Sequence, residues 1–563
     1  MSYDLVIKNA QICDGTSAPA RGGSVGIAEG RIVAIDRALS GGKREINADG
    51  LTLAPGFIDI HTHYDAQISW DPLLTSSCWH GVTSVLMGNC GVGVAPCRSS
   101  ERSVMAWDLV NVEAMPYDVL LNGVSWEWET FPEYINAVSR RGVALNFGFL
   151  VPLSALRFFV MGDQAATRAA NAEEITQMAQ LLREAIRGGA LGFSLSLSKQ
   201  HIGYQGRPLA SRLASRDELT SLARVMREAG RGVIEINLPR RSNGMITDDA
   251  FDLIVNVARE SQRPVTWLSL LDVPGMPEDG GQQTLARFEP VLKSGLRIAP
   301  QTTCRPIKLY ITLREPFVFA SFPSWKPAFN RSLEEQLALY RSAEFRDSFR
   351  QDLSKGGGVA FRGRWGLMEI ARVEKAENQH LLGKTIEEVA RLQNKDPVDT
   401  ILDLALSENL AMGFRLSAAN YDPERVAKLI TMPNVLIGLS DAGAHCDQLC
   451  DAGVPSYLLH HWVHQRQMMK MEEAVRRLTS EPADFLGLRT KGRIAEGMDA
   501  DLVLFDPAAI KPCPHEWKTD LPGGKGRLIE RSEGVAYTVV GGEVVFDHYE
   551  HQGVLPGRLL RSA

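Results

Sequence analysis

Cysteine is scarce in this 563-residue chain. The eight residues, Cys13, Cys78, Cys90, Cys97, Cys304, Cys446, Cys450 and Cys513, are too few for a disulfide framework and read as thiols. An excess of positive charge is also lacking: 61 Lys and Arg against 67 Asp and Glu leave a formal charge of −6 with no long basic run, which argues against a nucleic-acid partner. Nowhere do about 18 uncharged apolar residues follow one another, so no membrane span is expected. The opening Met1-Ser2-Tyr3-Asp4-Leu5-Val6 enters a strand-like alternation without the basic and apolar stretches of an export signal, and the expectation is a cytoplasmic protein. Fixed-period repeats and low-complexity segments are missing. What is present is an ordinary globular composition, 44% hydrophobic and 23% charged, long enough for a large barrel with appendages.

The first fifty residues alternate apolar and polar positions between Gly-rich turns, as in Leu5-Val6-Ile7-Lys8-Asn9-Ala10, and the same texture returns in Asp501-Leu502-Val503-Leu504-Phe505 and over 535–546. The two ends, 1–54 and 490–563, are expected to share a small composite β-sandwich. Between them, short apolar runs alternate with amphipathic stretches, the pattern of βα units around a parallel sheet. Eight runs qualify: 56–60, 83–87, 144–149, 191–195, 232–236, 265–268, 297–300 and 435–439. The predicted fold is therefore α/β, a (β/α)8 TIM-type barrel over 55–489, with helices such as 172–187 and 216–229 between strands. The interval 305–434 is too long for one βα connection and has helical patterns of its own, over 332–350 and 385–393; it reads as an insertion over the barrel mouth.

The first barrel run ends in His61-Thr62-His63. A period of two puts both imidazoles on one face, within reach of one ion, although two hydrogen-bonded histidines at a barrel mouth would look the same in sequence. The second run ends in Gly88-Asn89-Cys90-Gly91, whose thiol is either a ligand or buried filler. The eighth leads into Ser440-Asp441-Ala442-Gly443-Ala444-His445, placing a carboxylate at the strand end where barrel active sites are built. Three strand ends offering His-x-His, Cys and Asp favour one converging site.

At these residues the chain resembles the amidohydrolase superfamily and, within it, the D-aminoacylase or N-acyl-D-amino-acid deacylase family. The resemblance runs from Asp4-Leu5-Val6-Ile7-Lys8-Asn9-Ala10 through Pro55-Gly56-Phe57-Ile58-Asp59-Ile60-His61-Thr62-His63 and Gly88-Asn89-Cys90-Gly91 to Lys491-Gly492-Arg493-Ile494-Ala495-Glu496-Gly497-Met498-Asp499-Ala500-Asp501. It implies a zinc-dependent hydrolase of amide C–N bonds acting on a small-molecule substrate. His61, His63 and Cys90 match metal ligands, and Asp441 matches the catalytic aspartate at the metal. In the family's mechanism water activated by the ion attacks the amide carbonyl, and the aspartate moves the proton.

The chain also departs from the family. Histidines expected at the ends of strands five and six are replaced by Asn237 and Ser269, poor zinc ligands, so one tightly bound divalent ion is expected and a second is in doubt. Lys199, just beyond strand four, reads as solvent-facing. His201, in a mouth loop, is a candidate for touching metal or substrate in place of a missing ligand, and His445 for contacting substrate or the developing oxyanion, each against a plain hydrogen-bonded role. Arg240 and Arg241 form a candidate carboxylate clamp, against a solvated turn. Glu235 is a second possible replacement ligand, set deeper on the same face as Asn237 and read first as a structural hydrogen-bond partner; His460, His461 and His464 read as helix residues, and Cys446 with Cys450 as no zinc site. Two other functions stay open: hydrolysis of a lactone, ester or other carbonyl, and a non-catalytic binding or assembly role. Homo-oligomerisation is left open as well.

Overall fold

The computed structural model describes residues 2–241, 243–358 and 360–562. The eight apolar runs form one parallel sheet in chain order: β1 (Phe57–Asp59), β2 (Val82–Met87), β3 (Asn146–Pro152), β4 (Gly192–Ser196), β5 (Val233–Asn237), β6 (Val265–Leu268), β7 (Ile298–Thr302) and β8 (Leu436–Ile437). The sheet curls until its edges meet. Thr62 bridges to Ala442 in parallel, the His63 N–H donates to the Ala442 carbonyl at 2.7 Å, and the Ser440 hydroxyl donates to Asp59 at 2.6 Å. The result is the expected TIM-type barrel.

These runs form strands because both faces are covered. The interior packs Ile58, Leu86, Leu150, Leu191, Val233, Ala299 and Leu436 against Leu486, Leu488 and Leu560, which plug the end where the strands begin. The helices Ala172–Gly188 and Arg216–Ala229 sit where the amphipathic patterns place them. Asn171 and Glu174 form a capping box at the start of the first, worth about 1 kcal/mol, and Gly189, left-handed at φ 119°, ends it.

The chain between β7 and β8 builds its own apolar core around Phe319, Trp325, Phe349 and Phe414. It carries a three-stranded antiparallel sheet, Ile307–Thr312, Gly413–Ala419 and Met368–Arg372, in that order. The single helical pattern over 332–350 is two helices, Leu333–Arg341 and Ala343–Ser354. Ser342 leaves the helical region at ψ 130°, and its side chain accepts from the Phe345 N–H to cap the second. The helix Pro423–Thr431 packs Val426, Leu429 and Ile430 into the same apolar cluster as the barrel strands rather than into the core of the preceding segment.

The two chain ends meet in one nine-stranded sheet, joined where Thr52–Pro55 pairs antiparallel with Leu502–Phe505. Tyr3–Ile12 has three neighbouring strands, so the sheet branches and encloses a core of Ile7, Val25, Leu53, Leu502 and Val539. Among the described residues no helix is long and apolar enough to cross a membrane.

Candidate metal centre

Each strand end is built to aim a side chain. Beyond β1, Thr62 turns away from the site: its N–H and hydroxyl both donate to the Leu86 carbonyl, at 3.0 and 2.9 Å, fastening β1 to β2. By the two-residue period, His61 and His63 then face the barrel mouth together. Asn89 strengthens the same joint, donating to the carbonyls of Thr62 and Leu86 at 3.1 and 2.9 Å. Cys90 has the left-handed φ of 56° between Gly88 (φ 80°) and Gly91 (φ 71°). A Cβ on Gly88 would lie 2.1 Å from the Leu150 carbonyl oxygen, and one on Gly91 2.8 Å from the Leu195 Cα, so only glycine permits this turn against β3 and β4.

The three donors converge. One ring nitrogen each of His61 and His63 and the Cys90 Sγ lie within 4.8 Å of one another, all three residues buried, with the thiol 3.7 Å from the His61 Nε2. The Asp441 Oδ1 reaches both imidazoles, 3.1 Å from His61 Nε2 and 3.7 Å from His63 Nε2. Two imidazoles and a thiol with a carboxylate beside them suit zinc by ligand softness.

Two further buried carboxylates face this cluster. The Glu113 Oε2 lies 3.5 Å from the His63 Nε2, and Glu235 accepts the Cys90 N–H at 2.9 Å. The remaining Oε1 atom of each has no hydrogen-bond partner, an arrangement that favours a cation nearby. Burial, and then the neighbouring Glu235, Glu113 and Asp441, push the Cys90 thiol well above its ordinary pKa. Burial raises the Glu235 carboxyl to about 7, and burial with Asp441 and Asp65 raises Glu113 further. Burial also pushes Asp441 upward, but its hydrogen bonds with His61 and His63 outweigh that and hold it well below the carboxylate range.

The other candidates separate. The His201 Nε2 lies 3.4 Å from the Asn237 amide nitrogen, itself 3.9 Å from the Cys90 Sγ, so His201 flanks the side of the cluster where the expected strand-five histidine is replaced. Burial lowers its pKa to about 3 and keeps it neutral. His445 donates its backbone N–H to the Glu113 carbonyl at 2.5 Å and packs its ring on Phe317 at 4.9 Å. Ser269 faces Arg240, which donates to both its carbonyl and its hydroxyl. The adjacent arginines diverge: Arg240 is half-buried, whereas Arg241 pairs with Asp248 at 2.7 Å. Lys199 is exposed, and Cys446 and Cys450 make only long sulfur contacts, to the Gly443 carbonyl and the Ser76 hydroxyl.

Sequence reasoning missed Glu113 and Asp65. Glu113 closes the helix Arg102–Glu113 and is buried there; its only signal was an acidic residue in the otherwise uncharged run Leu109-Val110-Asn111-Val112-Glu113-Ala114-Met115. Asp65, two positions past His63, accepts the Gly88 N–H at 3.1 Å, and the His-x-His-x-Asp spacing could have marked it.

The amidohydrolase family pattern matches residues 44–546. An uncharacterised protein of Mycobacterium tuberculosis is 30% identical over 605 aligned positions, covering 100% of this chain and 96% of its own length. The D-aminoacylase of Alcaligenes xylosoxydans xylosoxydans is 26% identical, covering 99% of this chain and 97% of its own. Among solved structures, the N-acyl-D-glutamate deacylase of Bordetella bronchiseptica, complexed with zinc and a phosphonate inhibitor, matches in fold over 100% of both chains, with a TM-score of 0.69 at 22% identity.

Proposed function

The chain belongs to the amidohydrolase family, and from that premise we propose that it is a metal-dependent hydrolase that removes the acyl group from N-acyl-D-amino acids. The observation that carries the reading is the convergence of the His61, His63 and Cys90 donor atoms within 4.8 Å, at the barrel end where such sites are built, with the Asp441 carboxylate beside both imidazoles. The likeness to a D-aminoacylase over 99% of the chain supplies the substrate class. The residues fit a divalent ion. Their donor set suits zinc, and the unpartnered Glu113 and Glu235 oxygens leave local negative charge unbalanced.

His61, His63 and Cys90 would hold one ion, with Asp441 beside them. Bound there, zinc would supply the Lewis acidity that polarises an amide carbonyl and makes water a nucleophile near neutral pH. Asp441, held ionised, takes the proton of the attacking water and hands it to the leaving amine nitrogen. His201 and His445, kept neutral by burial, offer ring N–H donors to the amide and its developing oxyanion. Arg240 recognises the substrate carboxylate, since Arg241 is engaged by Asp248. Eight unpaired thiols suit a reducing compartment, and we assign the enzyme to the cytoplasm.

The test is a panel of N-acyl-D- and N-acyl-L-amino acids beside simple lactones and aryl amides. Release of free amine from a D-substrate, with the L-enantiomer poorer, is expected. Cleavage confined to lactones would overturn the deacylase reading.

A further inference from the structure

A cavity of about 500 Å3 opens beside the barrel mouth, between the loops after β4 and β5 and the segment between β7 and β8. Three lysines, Lys199, Lys326 and Lys355, stand exposed at its edge, and three half-buried arginines, Arg212, Arg240 and Arg362, line it. No aspartate or glutamate is among its described lining residues. A seventh cation, Arg241, has Asp248 as its partner. The other six have no carboxylate partner among the described residues. The arginines are instead held by carbonyls: Arg212 by His201 at 3.3 Å, Arg240 by Gly244 at 3.2 Å, and Arg362 by Pro274 at 3.1 Å.

Such a concentration of positive charge runs against a chain whose formal net charge is −6. Half-buried cations lose hydration and repel one another, a cost that an anion in the cavity offsets. Burial, and for Arg240 the nearby Arg362, lowers the pKa of all three guanidinium groups, Arg240 to about 10. Guanidinium groups anchored by carbonyls present fixed N–H forks, the geometry that grips carboxylate, sulfate or phosphate oxygens. One carboxylate needs one such fork, and here there are three, with lysines around them.

The cavity adjoins the proposed centre. Ile202 lines it, while the preceding His201 turns its imidazole toward Asn237, whose amide nitrogen in turn contacts the Cys90 thiol. The two spaces are thus separated by a single short loop.

We propose that this cavity binds an oxyanion, carried as the distal end of the substrate whose amide is cut at the neighbouring centre. The substrate is then an N-acyl-amino acid with at least one anionic group besides its α-carboxylate. The second half of this statement rests on the deacylase reading, whereas anion binding by the cavity does not.

The experiment has two arms on the metal-loaded protein. In the first, sulfate, a dianion with little affinity for zinc, is titrated calorimetrically at constant ionic strength. Saturable binding is expected, weakened about tenfold or more by Lys326→Met with Arg362→Met. The exposed-site pair Lys326→Gln and Lys355→Gln serves if the first pair does not fold. In the second arm, kcat/KM is compared for N-acetyl-D-glutamate and its near-isostere N-acetyl-D-glutamine. A preference of about tenfold or more for glutamate is expected, collapsing in the same variants. Absence of saturable sulfate binding, or binding indifferent to both variant pairs, would overturn the proposal whatever the activity. Sulfate binding without a glutamate preference would overturn the substrate role and leave a separate anion site. Hydrolysis of neither compound while other N-acyl-D-amino acids are cleaved would overturn the substrate role and leave the deacylase reading standing; cleavage of no N-acyl-amino acid, with sulfate binding intact, would overturn both.

Discussion

Asp441 sits 3.1 Å from one imidazole and 3.7 Å from the other, with a left-handed φ of 47°, a conformation that asparagine also tolerates. Asp441→Asn should therefore keep the fold and most of the metal while removing the group that carries the proton, and kcat should fall by roughly 10²-fold or more. Steady-state kinetics with elemental analysis checks this; near-normal kcat would take Asp441 out of the mechanism. His61→Ala, which deletes a donor, should lose metal and activity together. These residues were legible because each ends an apolar strand run, and strand ends converge at a barrel mouth whatever the loops do. Glu113 was not, because it reaches the centre from a helix in the long connection between β2 and β3, where no periodicity points to the barrel axis. His201 presented only a loop position in sequence, and its approach to Asn237 depends on how 198–203 folds.

The turn after β2 shows how an element constrains the site. Gly88 is left-handed at φ 80°, and a Cβ there would meet the Leu150 carbonyl oxygen at 2.1 Å. Gly88→Ala should thus cost about 1–3 kcal/mol from backbone conformation alone, with more from the clash with β3, and should displace the Cys90 thiol. Denaturant unfolding together with metal content reads both effects; unchanged values of both would show that the turn tolerates a side chain. Elements were legible where a covered face wrote itself into the sequence: all eight barrel runs are strands, since a sheet buried on both sides demands unbroken apolar segments. The sheet between β7 and β8 was not read. Its strands pair across about a hundred residues, as Ile307–Thr312 does with Gly413–Ala419, and its outer strand Met368–Arg372 is only five residues long, too short for its alternation to stand out. The break at Ser342 is not legible in sequence because a serine within a helical pattern becomes a cap only when the backbone turns.

Across the whole molecule, the proposed centre doubles as a clasp on the barrel. Its ligands come from the ends of β1 and β2, and Asp441 follows β8, so the group spans the seam where the first and last strands meet. Among the described residues, the hydrogen-bonded contacts that close that seam at the mouth are the Thr62–Ala442 bridge, the bond from His63 to Ala442 and the bonds from the Ser440 hydroxyl to Asp59 and to the His61 carbonyl. An ion that binds only the folded barrel stabilises it by mass action, by roughly 2.7 kcal/mol when free ion stands at 100 times its Kd. Removing the ion should therefore lower Tm as well as abolish turnover. One equivalent of zinc, rather than two, should restore both, because Asn237 and Ser269, at the strand ends where the resemblance leads one to expect further histidines, are poor zinc ligands. Hydrogen exchange locates the effect. The amides of Thr62 and His63 should exchange faster in the chelated protein, while those of β4 to β6, away from the seam, should keep their protection. Uniform loss of protection would mean that the ion stabilises the barrel as a whole rather than at its seam. Unchanged exchange at Thr62 and His63 would place the ion away from His61, His63 and Cys90.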